Sequence, residues 1–174
     1  MKVSEIMTAD AAACGPHEML TCAASIMWQR DCGVVPVVDG DRHVLGVITD
    51  RDICMALVSR DALATEIRIK DVMSADVVTC RTDDRLEDVL DKMGENQVHR
   101  LPVIDADGVM VGMVSLSDLF RLATKQTKKK GRLARKDVLR ALLKISSAEA
   151  GTDRNNAVEA ETAIDVDLKA AGTG

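Results

Sequence analysis

The chain has 174 residues, a formal net charge of −5, 47% hydrophobic and 29% charged residues. That is enough apolar material for a packed core, and it excludes both global disorder and a second large domain beside a first of about 100–150 residues. Trp28 and Phe120 are the only aromatic residues, so Val, Leu, Ile, Met and Ala must fill the core, and the stacking platforms on which single-stranded nucleic acid binding usually depends are scarce.

Charge is spread unevenly along the chain. Residues 1–123 carry 12 basic against 21 acidic side chains, residues 124–147 carry 9 against 1, and residues 148–174 carry 2 against 6. No uncharged stretch reaches the roughly 20 residues of a membrane span. Glu5 and Asp10 interrupt what would be the apolar part of a signal peptide, so the expected location is the cytoplasm. The cysteines at 14, 22, 32, 54 and 80 form no C-x-x-C pair and match no zinc pattern. They read as buried thiols in a reducing compartment, with no metal site.

Shifting the chain by 66 residues aligns Val3–Cys54 with Ile69–Phe120 without a gap, and identities fall at Cys14/Cys80, Pro36/Pro102, Gly46/Gly112 and Asp52/Asp118, among others. In the first copy, Leu20, Ala23, Ala24 and Met27 share one helical face. Val34–Val38 and Val44–Ile48 then flank Asp39-Gly-Asp-Arg-His43 as two strands and a turn, and Pro36 implies an edge or a strand start. Ile53, Ala56 and Leu57 point inward from a second helix. In the second copy, Asp76–Cys80 is a β-branched run, and Asp83 or Asp84 can cap a helix with Leu86, Val89, Leu90 and Met93 on one face. Arg100–Ile104 and Val109–Val114 flank the tight turn Asp105-Ala-Asp-Gly108, and a helix follows with Leu119, Leu122 and Ala123 inward. Each copy is thus β-α-β-β-α, in an α/β (α+β) fold. A unit of about 55 residues is marginal alone, so the two copies are expected to pack face to face with pseudo-twofold symmetry and two related clefts.

Beyond the repeats, Lys125, Lys128–Lys130, Arg132, Arg135 and Lys136 lead into Val138, Leu139, Leu142 and Ile145 at helical spacing. This is a basic amphipathic segment, which either folds back on the acidic repeats or meets an anionic protein, RNA or a lipid surface. The sequence does not choose among these. From 148 onward the composition predicts a mobile acidic tail.

The most informative stretch is Gly46-Val-Ile-Thr49-Asp50-Arg51-Asp52, repeated as Gly112-Met-Val-Ser115-Leu116-Ser117-Asp118. A strand glycine marks a close approach to the backbone. Ser/Thr-x-x-Asp at a helix start is first of all a capping box. A helix N-terminus also offers free amides and a positive dipole end to a phosphate, Asp52 or Asp118 can accept from ribose hydroxyls, and Arg51 adds cationic reach in the first copy. The pairs Asp39/Asp41 and Asp105/Asp107 are explained by turn chemistry. No nucleophile with a base and an orienter, no Walker loop and no G-x-G-x-x-G occurs, so no catalytic residue is assigned and no enzyme is expected.

Two gapless β-α-β-β-α copies with G-h-h-[ST]-x-x-D at each second helix, behind Val34-Val-Pro-Val-Val38 and Leu101-Pro-Val-Ile104, resemble a tandem CBS-domain pair, or Bateman module. The resemblance implies one unit over 2–58, a linker over 59–68, a second unit over 69–124, the basic segment over 125–147 and the tail over 148–174. It implies a regulatory module that takes an adenine nucleotide (AMP, ADP or ATP) as ligand and needs no cofactor. Asp52 and Asp118 match the ribose-binding acids, and Thr49 and Ser115 the hydroxyls near the phosphates. The Asp118 cleft would borrow Met7, Ala12, Cys32 and Gly33 from the first unit; the Asp52 cleft would borrow Met73, Val78, Val98 and His99 from the second. His99-Arg100 resembles a phosphate-reaching basic pair, against an alternative role for His99 as a strand-end histidine. Arg51 stands where the second copy has Ser117, so the two sites should differ in affinity. A homodimer and an unidentified regulated protein are implied as partners. Two further readings stay open: an interaction module with vacant clefts, or a nucleic-acid-associated protein working through its basic segment.

Overall fold

The computed structural model describes residues 1–125 and 135–149. A 3-10 turn at Val3–Glu5 leads to β1 (Thr8–Ala9), and the first repeat continues as α1 (Leu20–Arg30), β2 (Val34–Val38), β3 (Val44–Thr49) and α2 (Asp50–Arg60). After a second 3-10 turn at Ile69–Asp71, the second repeat runs β4 (Cys80–Arg81), α3 (Leu86–Asn96), β5 (Arg100–Ile104), β6 (Met110–Ser115) and α4 (Leu116–Lys125). One more helix, α5 (Arg135–Glu149), follows. The fold is therefore mixed α and β, with the predicted β-α-β-β-α order in the second repeat; in the first, the place of β4 is held by a single bridge at Cys14, while β1 pairs with β6. No helix among the described residues is long and apolar enough to cross a membrane.

Strands β1, β6, β5 and β4 form one sheet in that order, and β2 pairs with β3 in another. Single bridges extend the smaller sheet in the pattern of the larger. Cys14 lies parallel to Val37 as Cys80 does to Val103, and Ser74 lies antiparallel to Val47. Pro36 is tolerated because the parallel rung uses only its carbonyl: Cys14 donates to it at 3.0 Å, and Val38 supplies the return amide to the Cys14 carbonyl at 2.9 Å.

The first repeat's core is Leu20, Ala23 and Met27 from α1, Ile53 and Ala56 from α2, and Val35, Val37 and Ile48 from the hairpin. In the second repeat Leu86, Val89, Leu90, Met93, Leu119 and Ala123 are buried, as the helical spacing requires. Neither aromatic joins a core: Trp28 is 88% exposed and Phe120 48%.

Four local expectations are corrected. Only Cys80 and Arg81 of the first run in the second repeat form a strand, paired with Val103 and Ile104 of β5; one step earlier in that register stands Pro102, which has no amide to donate. Asp83 and Asp84 do not cap α3, which starts with Arg85 at the N-cap position and no side-chain cap bond. The Asp84 carbonyl instead accepts from the Val3 amide at 3.1 Å, and its carboxylate lies 3.5 Å from Lys92 Nζ. All five cysteines are free thiols, but only Cys14 and Cys80 are buried; Cys54 is exposed, because one residue past the buried Ile53 a helix has turned by about 100°. In α5 the buried stripe runs Val138, Ala141 and Ile145, and Leu142, placed by spacing on the same apolar face as Val138 and Ile145, is 43% exposed.

Helix α5 packs on α3 and α4. Gly94 admits it: a Cβ there would stand 3.1 Å from Lys144 Cδ and 3.7 Å from Ala141 Cα. The amphipathic segment thus folds back on the second repeat over Arg135–Glu149, while the basic residues Lys128–Lys130 and Arg132, and the acidic tail from 150, lie outside the described residues. The chain divides into two compact units, Thr8–Arg81 with Pro102–Gly112, and Met1–Met7 with Thr82–Leu101 and Met113–Gly174.

Candidate ligand site

Each repeat's last strand runs directly into its last helix, and the same three hydrogen bonds close both junctions. In the first, the Asp52 amide donates to Thr49 Oγ1 at 3.1 Å, and the Thr49 amide and hydroxyl donate to Asp52 Oδ2 at 2.9 and 2.7 Å. In the second, the Asp118 amide donates to Ser115 Oγ at 3.2 Å, the Ser115 amide donates to Asp118 Oδ2 at 3.0 Å, and the Ser115 hydroxyl donates to the same oxygen. These are capping boxes, which alone account for a hydroxyl and a carboxylate three residues apart. They commit the hydroxyl proton and use Oδ2 of each half-buried carboxylate, leaving Oδ1 outside the cap.

The glycine ahead of the first cap admits the chain itself. A Cβ at Gly46 would stand 2.7 Å from the Ser74 carbonyl oxygen and 2.9 Å from Met73 Sδ. Val47 and Ser74 exchange amide-to-carbonyl bonds of 2.9 Å beside it.

The start of each hairpin is tied to the start of the following helix. The Leu116 amide donates to the His99 carbonyl at 2.8 Å, and the Asp50 amide to the Gly33 carbonyl at 3.2 Å. In the second repeat this puts His99, Arg100, Ser115 and Ser117 on one wall of a cavity of about 660 Å3. Leu116, Phe120, Arg121 and Thr124 continue that wall along α4, and Val138, Leu139 and Leu142 close it from α5. In the first repeat Cys32 and Gly33 join Ala24, Met27, Trp28, Asp31, Asp50 and Ile53 around a cavity of about 670 Å3.

Other sequence-predicted residues stand apart from these walls. Asp52 and Asp118 sit within the caps and line neither cavity, nor does Thr49. Arg51, whose amide donates to Asp50 Oδ1 at 2.7 Å, is exposed and off the first cavity. Ala12, Val78 and Val98 are half-buried beside neither. Sequence reasoning missed Phe120, Arg121, Leu139 and Leu142, and in the first repeat Trp28, Asp31 and Asp50. One signal was available: the only two aromatic residues in the chain each line one cavity.

The turn aspartates hold backbone. Asp39 Oδ1 accepts the Asp41 and His43 amides at 3.0 and 2.8 Å, and Asp105 Oδ1 accepts the Asp107 and Val109 amides, both at 2.9 Å. The His43 amide, more than the Asp41 amide and the nearby His43 ring, holds the Asp39 carboxyl below its ordinary range. Burial pushes the Cys14 thiol up to about 12. Among the described residues no cluster of three or more His, Cys, Asp or Glu could hold a metal ion.

Two β-α-β-β-α units in tandem, each closed by a Ser/Thr-x-x-Asp cap, define the class of protein. The CBS domain pattern matches residues 3–59 and 69–125, and the chain belongs to the CBS-domain family as a tandem pair. It is 36% identical over 120 residues to the CBS domain-containing protein YhcV of Bacillus subtilis, covering 67% of this chain and 81% of that protein. It is also 30% identical over 122 residues to the homoserine O-acetyltransferase of Methanococcus vannielii, but that match covers 70% of this chain and 25% of the enzyme, so the chain spans a quarter of that relative's length. The CBS-domain pair of protein MJ0100, solved in complex with 5′-methylthioadenosine and S-adenosyl-L-methionine, superposes with a TM-score of 0.62 at 26% identity over 73% of this chain and 98% of that one.

Proposed function

We propose that the chain is a regulatory module that binds an adenine nucleotide, of the AMP, ADP or ATP class, at its Ser/Thr-x-x-Asp helix starts, and that the second repeat holds the stronger site. The observation that carries this reading is the grouping of His99, Arg100, Ser115 and Ser117 on one cavity wall, at the N-terminus of α4, with no acidic residue among the lining side chains. Cations and a helix dipole there favour phosphate. The cap leaves Asp118 Oδ1 to accept a ribose hydroxyl in the same turn, and Asp52 Oδ1 the same in the first repeat. The adenosyl ligands of the MJ0100 pair support the ligand class. Occupancy then acts by shifting a conformational population, read by a second copy of the chain or by a separate regulated protein in the cytoplasm. Catalysis forms no part of this reading.

Calorimetric titration of the full chain with AMP, ADP, ATP and S-adenosylmethionine tests it. Asp52→Asn combined with Asp118→Asn keeps an oxygen for each cap but replaces the free acceptor with an amide donor. Binding should weaken about tenfold or more, since a hydrogen bond to a charged group contributes roughly 1.5–3 kcal/mol. Unchanged affinity in the double variant would show the ribose assignment to be wrong, and absence of heat with all four ligands would leave the interaction-module reading in its place.

A further inference from the structure

We propose that α5 is a wall of the ligand site as well as a brace for the second repeat, and that the cavity beneath it takes a phosphorylated ligand with a flat ring, its phosphates against Arg100 and Arg121 and its ring against Phe120 and Leu142. The inference rests on the ligand-sensing reading above and adds residues that reading does not use.

The apolar residues of α5 do two jobs. Val138, Ala141 and Ile145 are buried and suffice to hold the helix against α3 and α4 through the gap at Gly94. Leu139 and Leu142 are not needed for that contact, yet both line the cavity, and Leu142 remains 43% exposed. Phe120, 48% exposed, lines it with them. A chain that contains a single phenylalanine keeps it out of the core and on this wall. A half-exposed aromatic face beside an aliphatic side chain is a platform for a planar ring.

The charged side chains on the cavity wall are all cationic. Arg100 and Arg121 line it, with His99 beside them, and no Asp or Glu does. Among the described residues neither Arg100 nor Arg121 makes an ion pair or a side-chain hydrogen bond, although residues 1–123 are rich in carboxylates. Guanidinium groups match the oxygens of a phosphate in pairs. A volume of about 660 Å3 lies in the usual range of small-molecule sites, roughly 300–1,000 Å3.

The test uses the full chain and two probes: ATP, which carries phosphates and a ring, and inorganic pyrophosphate, which lacks the ring. Arg121→Ala should weaken both about tenfold or more. Phe120→Ala and Leu142→Ala should weaken ATP several-fold and leave pyrophosphate unchanged. ATP should also slow amide hydrogen exchange over residues 135–149. Unchanged ATP affinity in Arg121→Ala and Phe120→Ala, or exchange in α5 indifferent to ATP, would overturn the proposal. If the Asp52→Asn and Asp118→Asn pair loses ATP while Arg121→Ala does not, the ribose reading survives and this inference falls. If Arg121→Ala loses ATP while the aspartate pair does not, the inference stands and the ribose assignment falls. A chain that binds neither probe overturns this inference, and the ribose reading falls with it only if AMP, ADP and S-adenosylmethionine also give no heat.

Discussion

The two repeats keep cavities of almost the same size, about 670 Å3 in the first and 660 Å3 in the second, and give them opposite charge. The first is lined by Asp31 and Asp50 with no cation, the second by His99, Arg100 and Arg121 with no carboxylate. The helix pairs around them differ in the same way. Trp28 and Gly94 occupy the same place in the 66-residue register; the tryptophan stands in solvent, and the glycine lets α5 dock. What the backbone requires is alike in both copies: the cap, the parallel rung at Cys14 and Cys80, and the Asx turn. The outward positions have diverged, so a duplicated scaffold carries one anion-attracting and one anion-repelling face. Each close charge pair in such a setting is worth on the order of 1–4 kcal/mol, which favours the second repeat's cavity over the first's for an anion.

Making the repeats alike at that position has the largest expected effect. Gly94→Trp places the first repeat's side chain in the path of Lys144 and Ala141. Burial of Val138 and Ile145 in α5 is worth roughly 1.5–3 kcal/mol each as an upper bound, so docking should weaken by about 3 kcal/mol. Amide exchange over residues 135–149 should accelerate while the secondary structure of the repeats persists by circular dichroism. A helix that still exchanges slowly would break the comparison.

The close approach at the strand end comes next. Gly46→Ala drives a Cβ to 2.7 Å from the Ser74 carbonyl oxygen, backbone that cannot turn aside, and should cost about 2 kcal/mol in urea unfolding. Gly40→Ala is the control: nothing lies within 4 Å of its Cβ, and its stability should stay within about 0.5 kcal/mol of the parent chain. Equal midpoints for the two variants would remove the packing argument.

Much of this was legible beforehand, for identifiable reasons. The repeat, the helical faces and both hairpins follow from periodicity, because a buried stripe needs Leu86, Val89, Leu90 and Met93 at helical spacing whatever lies beside it. The caps were legible because Ser115 and Asp118, three residues apart, satisfy each other locally. Gly46 was legible as a close approach but not as to what approaches, since Ser74 is 28 positions along the chain and only folding brings it there. The walls from Phe120, Arg121 and Leu142 were hidden for the same reason: they line one cavity only because α5 packs on α4. Cys54 and Leu142 show the limit of composition, which identifies an apolar residue without fixing which side of its helix meets the core.

A smaller difference separates the two turns. Gly108 has φ +85° and Arg42, at the same place in the register, φ +65°. Arg42 is held there by bonds a glycine turn does not need: its carbonyl accepts from Met110 at 2.9 Å, and its Nε donates to the Met110 carbonyl at 3.3 Å. Gly108→Ala, with no such side-chain bonds to gain, should lose about 1 kcal/mol by thermal unfolding, and a neutral result would show that this turn accommodates a left-handed side chain freely.

The smallest effect tests the carboxylates of those turns through pH. Asp39 is held below its ordinary pKa by the His43 amide first, with the Asp41 amide and the His43 ring adding to it. A folded value below the unfolded one means that the charged form stabilises the fold above the ordinary aspartate range, and that this contribution is lost as pH falls through the folded value. Asp39→Asn keeps an oxygen for both amides and removes only the charge. The stability gap between parent and variant should therefore be present at neutral pH and close in acid, below about pH 4. Val109 stands where His43 does in the other copy, so His43→Val supplies the remaining comparison. If the gap survives that change, the amides carry the effect, as the geometry requires. If the gap vanishes with the ring, the 3.3 Å contact between His43 Nδ1 and Asp39 Oδ2 is the stronger partner, and the turn of the first repeat owes its charge preference to the one side chain the second repeat lacks.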